Sequence, residues 1–177
     1  MKTLLLVRHA KVESEDENTP EAERPLTARG AIEVQGMAER LARRAARPDV
    51  VLSSPAAHAR TTAEIFARRF GLEAGAVAVD DRLQASSPET LLAVIGSLDQ
   101  RLVSVMVVGH NPEVAKLAGQ LSGGEVTSMP LCAVAELRFD VTHWSQLGEK
   151  PPSMVRFDDR KKHRAEAGED ATARPTD

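Results

Sequence analysis

Short aliphatic runs alternate with amphipathic stretches along this chain, and the alternation predicts a sheet with helices on both faces. Residues 3–7 are the first apolar run and read as a buried strand. Residues 12–25 are polar and acidic and carry two prolines, which reads as a loop. Thr27 is placed to cap a helix over 28–44. There Val34, Met37, Ala38, Leu41 and Ala45 recur at spacings of three and four, leaving Glu39, Arg40, Arg43 and Arg44 to water. Pro48-Asp49 breaks that helix, and residues 50–53 form the second strand. Ser54-Pro55 then signals a helix start, with serine as N-cap and proline as first helical residue. Its buried stripe is Ala59, Ala63, Phe66 and Phe70, and Gly71 is the expected stop.

The second half repeats the scheme. A strand over 77–79, a helix over 88–98, a strand over 103–108 and a helix over 112–121 follow, the last ended by Ser122-Gly123-Gly124. Residues 133–139 alternate as a strand, and 144–147 either extend it or pair beside it. The expected fold class is α/β, a three-layer αβα sandwich around a mostly parallel sheet. From residue 158 the pattern stops. Arg160-Lys161-Lys162-His163-Arg164 leads into a Glu-, Ala- and Thr-rich end that buries too little to offset chain entropy. The expectation is one domain over 1–157 and a disordered tail over 158–177.

Composition narrows the function classes. A formal charge of −3 gives no global attraction to nucleic acid or to an anionic membrane, so any anion site is local. No apolar stretch approaches the ~20 residues needed to span a bilayer. The apolar start is too short for a signal peptide and runs straight into Arg8-His9, so the expected location is cytoplasmic. The single cysteine, Cys132, excludes an intrachain disulfide and lies in an apolar stretch as a core residue.

The candidate chemistry sits where strands end. The first strand stops on Arg8-His9, and the run over 103–108 stops on Gly109-His110-Asn111-Pro112. In open α/β sheets ligands bind at that edge. Phosphoryl transfer to a histidine needs a neutral imidazole, donors for three equatorial oxygens and an acid for the leaving group. Arg8 and His9 offer a cation and a nucleophile. Gly109 allows close approach, Asn111 can cap, and the helix starting at Pro112 would point free N–H groups at the edge beside His110. Ser54-Pro55 is a third helix start at the same edge, with His58 and Arg60 in or just after its first turn.

These residues, in this order, resemble the histidine phosphatase superfamily, the phosphoglycerate-mutase-like fold. The resemblance rests on Leu5-Leu6-Val7-Arg8-His9-Ala10, on Arg24-Pro25-Leu26-Thr27-Ala28-Arg29-Gly30, on the stretch from Ser53-Ser54-Pro55 to Ala63, and on Val107-Val108-Gly109-His110-Asn111-Pro112. The short length and lack of a long insertion look like the small SixA-type phosphohistidine phosphatases. The resemblance implies that His9 becomes phosphohistidine and that Arg8 and His110 bind the phosphoryl group. It implies a proton donor after the third strand, where Asp81 is the best match and Asp80 the next. The family's Ser-Pro-x-x-Arg-Ala pattern carries an arginine where this chain has His58. Histidine offers one donor, and a charge only below its pKa, in place of a permanent fork. Arg60 is the candidate compensating cation, although on an ideal helix it points roughly 200° away from residue 58.

Three readings follow. The first is a phosphatase that needs neither metal nor other cofactor, acting through phospho-His9 on a phosphorylated protein or a small phosphorylated metabolite. The second is a binding module of the same fold, weakened by His58. The third is a metal hydrolase ligated by His9, His58, His110 and Asp81, against which stands the charge of Arg8.

Overall fold

The computed structural model describes residues 1–13, 18–73, 75–84 and 86–159. Six strands form one sheet: β1 (Lys2–Arg8), β2 (Val50–Ser53), β3 (Val77–Val79), β4 (Ser104–Gly109), β5 (Val134–Phe139) and β6 (Met154–Asp158). Their spatial order is β3-β2-β4-β1-β5-β6. The first four are parallel, β5 runs antiparallel to β1, and β6 antiparallel to β5. Four helices cover the sheet: α1 (Ala28–Arg43), α2 (Ala57–Arg69), α3 (Pro88–Gly96) and α4 (Glu113–Leu121). The expected αβα sandwich with its mostly parallel sheet is therefore present.

Alternation along the strands divides the core. Leu5 and Val7 of β1, with Val51, Met106 and Val108, pack against Val34, Met37, Leu41, Phe66 and Phe70 of the α1–α2 side. Leu4 and Leu6, with Leu52, Val105 and Val107, pack against Leu91, Ile95, Leu117 and Trp144 of the other side. Because successive strand side chains face opposite ways, a continuous apolar run serves both layers.

Several local expectations are corrected. Ala45 does not join the buried face of α1: it is exposed, with φ 55° in the left-handed region, and the reversal turns Ala46 inward instead. Ser54 does not cap α2. The helix begins at Ala57 with Ala56 at the cap position and no side-chain cap bond, because the Ser54 hydroxyl is taken by His110. Helix α4 begins at Glu113, with Pro112 at the cap position, after a cis Asn111-Pro112 bond. Residues 144–147 contribute no strand. Trp144–Gln146 is a 3-10 turn, held by the Trp144 amide donating to Gln100 Oε1 (2.8 Å) and its indole N–H to the Leu102 carbonyl (3.1 Å).

The free edge of β5 is filled instead by β6. Its last residue, Asp158, belongs to the sheet rather than to a tail: it is buried and ion-paired to Arg44 and, at 3.8 Å, to Arg40 of α1. The remainder of the expected tail, from residue 160, lies outside the described residues.

The loop after β1 is also more structured than its polarity suggests. Val12 bridges Leu26, Glu21–Glu23 forms a 3-10 turn, and Thr27 caps α1 by accepting from the Gly30 amide (2.8 Å). A Cβ on Gly30 would lie 2.7 Å from the Lys11 carbonyl oxygen, so only glycine lets α1 start this close to the end of β1.

Candidate active site

Three adjacent strands, β2, β4 and β1, end side by side and carry the candidate chemistry. The register pairs Arg8 with Gly109, and the His9 amide donates to the Gly109 carbonyl (3.1 Å). His9 and His110 therefore leave neighbouring parallel strands at one level. On the far side of β4, the Ser54 amide bonds the Val108 carbonyl at the end of β2. The Cys132 amide donates to the His9 carbonyl, and the Arg8 amide to the Ala133 carbonyl, so β1 is held from both sides. Cys132 is the expected core residue, 2% exposed, with its thiol pushed up to about 12 by burial.

Helix α2 brings the third imidazole. His58 is its second residue, and the Thr62 hydroxyl one turn on donates to the His58 carbonyl while accepting from the Ala10 amide (3.3 Å). That bridge clamps the start of α2 to the end of β1. Ring centroids are 4.3 Å apart for His9 and His58, 5.0 Å for His9 and His110, and 5.2 Å for His58 and His110.

Each imidazole has a different surrounding. His9 is 6% exposed, and its Nδ1 lies 2.8 Å from the Ala10 carbonyl. A carbonyl only accepts, so Nδ1 carries the proton and the Nε2 lone pair is free. Burial first, then the nearby His58, His110 and Arg8, lower its pKa to about 4, so the ring is neutral at physiological pH. His110 is lowered chiefly by burial, and its Nε2 shares a 2.6 Å hydrogen bond with Ser54 Oγ. His58 is lowered by burial, with the Arg24 and Glu21 backbone and the Glu21 charge working the other way. It is 1% exposed, and among the described residues neither ring nitrogen makes a hydrogen bond of ordinary length and angle.

The other expected residues divide. Arg8 is half-buried, and its Nη1 donates to the Met129 carbonyl (3.1 Å). Asn111 does not cap α4: its Nδ2 donates to the same Met129 carbonyl (2.9 Å), leaving Oδ1 buried without a bond among the described residues. Of the N–H groups expected at the start of α4, that of Val114 is bonded to the His110 carbonyl, while α2 starts with no side-chain cap bond. Gly109 serves close packing of a side chain, since a Cβ there would meet Val114 Cγ2 at 2.9 Å. Arg60 is exposed, as the helical angle requires, and does not line the histidine cavity. Asp81 is exposed in the 3-10 turn Asp81–Leu83, and Asp80 caps that turn and pairs with Arg82. Neither aspartate lines the cavity.

A cavity of about 320 Å³ opens beside two of the three rings: it is walled by His58, His110, Asn111 and Gln84 and by two carboxylates, Glu21 and Glu113, with His9 buried behind them. Both glutamates were missed. Glu113 follows Pro112 directly and reads as an ordinary first-turn acid, while Glu21 sits in a loop whose course local pattern does not fix.

An open α/β sheet thus brings two imidazoles from adjacent strand ends and a third from a helix start into one cluster. Residues 4–86 match the model of the histidine phosphatase superfamily (branch 1). Among solved structures it is similar to a proposed phosphohistidine phosphatase SixA of Nakamurella multipartitia, with 25% identity, TM-score 0.72, and coverage of 88% of this chain and 95% of that one. It is also similar to a proposed phosphohistidine phosphatase SixA of Agrobacterium tumefaciens, with 29% identity, TM-score 0.70, and coverage of 77% and 90%. A mycobacterial glucosyl-3-phosphoglycerate phosphatase, at 19% identity, TM-score 0.60 and coverage of 89% and 97%, shares the fold. No curated protein matches by sequence. Among the described residues no helix is long and apolar enough to cross a membrane.

Proposed function

We propose that this protein is a metal-independent cytoplasmic phosphatase in which His9 carries the phosphoryl group, with protein phosphohistidine as the favoured substrate and a small phosphoester as the other. The observation that carries this reading is the state of His9. Its Nδ1 is held on the Ala10 carbonyl, its Nε2 lone pair is free, and its ring is neutral. In the first step His9 Nε2 attacks phosphorus, a P–N bond forms, and the bond to the leaving group breaks. The leaving group takes a proton from a cavity carboxyl, Glu21 or Glu113, in place of Asp81. Water then displaces His9 from phosphorus and returns a proton to that carboxylate. Arg8, His58, His110 and the free amides at the start of α2 hold the phosphoryl oxygens. The phosphohistidine preference is supported by the two SixA structures of at least 25% identity.

The test is turnover of an aryl phosphate and of a histidine-phosphorylated protein by wild type and His9→Ala, with EDTA present. Turnover by wild type alone, with an acid-labile phosphoenzyme, is expected. Equal activity of His9→Ala overturns the mechanism. One observation favours a second reading, a phosphate-binding module with little turnover: the second arginine is replaced by neutral His58, and two carboxylates face the cavity. Phosphoprotein binding without turnover would select that reading.

A further inference from the structure

We propose that His9, His58 and His110 form an inhibitory site for a zinc-type transition-metal dication, created by the histidine that stands where the superfamily motif has arginine. One nitrogen from each ring lies within 4.8 Å of the other two. Tetrahedral zinc, with Zn–N of about 2.0–2.1 Å, needs nitrogens about 3.3 Å apart. Closing the triangle therefore takes shifts of the order of 1 Å, within the reach of small rotamer changes.

The rings are prepared for it. His9 is oriented as metal-ligating histidines are, one nitrogen on a backbone carbonyl and the other bare. His58 is 1% exposed, and among the described residues neither ring nitrogen makes a hydrogen bond of ordinary length and angle, so ligation displaces only the looser approach of the Arg24 and Glu21 backbone. Local charge acts in both directions. Glu21 and Glu113 line the cavity and attract a cation, against the opposing charge of the Arg8 guanidinium, which is felt at His9 and His110 and is held on the Met129 carbonyl. Three neutral imidazoles supply three ligands and leave the fourth position to water.

Ligation consumes the His9 lone pair that the phosphatase mechanism uses. Inhibition therefore rests on that reading, while metal binding does not. The metal is expected to compete with substrate and raise KM, and EDTA is expected to restore the rate.

The experiment is calorimetric titration of the full chain with Zn²⁺, and absorption spectroscopy with Co²⁺, beside phosphatase assays at graded Zn²⁺. Wild type is expected to bind one Zn²⁺ per chain and to give the intense spectrum of tetrahedral Co²⁺. His58→Arg and, as a neutral second variant, His58→Gln are expected to lose Zn²⁺ affinity at least tenfold. Circular dichroism confirms that each variant folds. His143→Ala, which alters an exposed histidine outside the triad, keeps the affinity. No Zn²⁺ binding by wild type, or unchanged affinity in folded His58→Gln, overturns the proposal. Metal binding by a protein without turnover would refute the phosphatase reading and leave this one standing; turnover that no Zn²⁺ affects would do the reverse.

Discussion

The imidazoles of His9 and His58 lie 4.3 Å apart, centroid to centroid, inclined by 57°. In the proposed mechanism a neutral ring thus stands against the nucleophile, where the resemblance implies the permanent charge and bidentate fork of an arginine. With Arg60 exposed and outside the cavity, Arg8 is the candidate fixed charge that acts on the rings of His9 and His110. Phosphate affinity and metal affinity at this site should consequently move in opposite directions when residue 58 is changed.

His58→Arg is expected to tighten inhibition by inorganic phosphate about tenfold, the equivalent of roughly 1.4 kcal/mol. The sign follows from adding a charge-assisted fork to a site lined by Glu21 and Glu113. Product-inhibition constants for wild type and variant measure it, and an unchanged constant would place His58 outside the phosphate site.

The proposed nucleophile, His9, should remain competent well into acid. With His9 lowered to about 4 by burial, the acid limb of kcat/KM attributable to it falls near pH 4 rather than 6.5. Stability carries the same signature. A histidine whose folded pKa is depressed takes up its proton first in the unfolded chain, so stability is lost as pH falls from about 6.5 towards 4. A shift of this size corresponds to at most roughly 3 kcal/mol from His9. Urea midpoints at pH 7 and pH 4.5 for wild type and His9→Gln check it: the variant should lose less on acidification.

Proton donation should track the cavity carboxylates rather than Asp81. Glu21→Gln or Glu113→Gln is expected to slow hydrolysis of an alkyl phosphate by about 10²-fold while sparing an activated aryl phosphate, whose leaving group needs little acid help. Asp81→Asn, an exposed change outside the cavity, should leave both rates within about twofold. Steady-state rates on the two substrates decide which residue is the acid.

Gly30→Ala should destabilise the fold by about 1–3 kcal/mol. The added methyl would meet the Lys11 carbonyl at 2.7 Å, and that carbonyl already accepts from the Thr27 amide in the segment leading out of β1. Thermal unfolding reads the loss. Part of it should appear as lower activity, because Ala10 and Lys11 follow His9 directly.

The sequence by itself determined the layered α/β fold and the positions of β1, β2, β3 and β4, because continuous apolar runs and helical spacings are local signals that burial on two faces reinforces. It also determined which strand ends bear Arg8-His9 and Gly109-His110, since a residue next to a buried strand goes where the strand delivers it. That residue 58 faces the site was implied by the resemblance, and the helical angle added only that Arg60 would point away from it. Tertiary structure alone decided which donors and acceptors won. Ser54 had two possible partners, the amides of α2 and His110, and the imidazole took it. Asn111 was drawn to the Met129 carbonyl rather than to its own helix. Glu21 entered the cavity because its loop folds back through the Val12–Leu26 bridge. Trp144 was claimed by Gln100 and Leu102, which left the edge of β5 to β6, with Asp158 fixed by arginines of α1. Each outcome is a competition between a local partner and a distant one, and sequence spacing records only the local one.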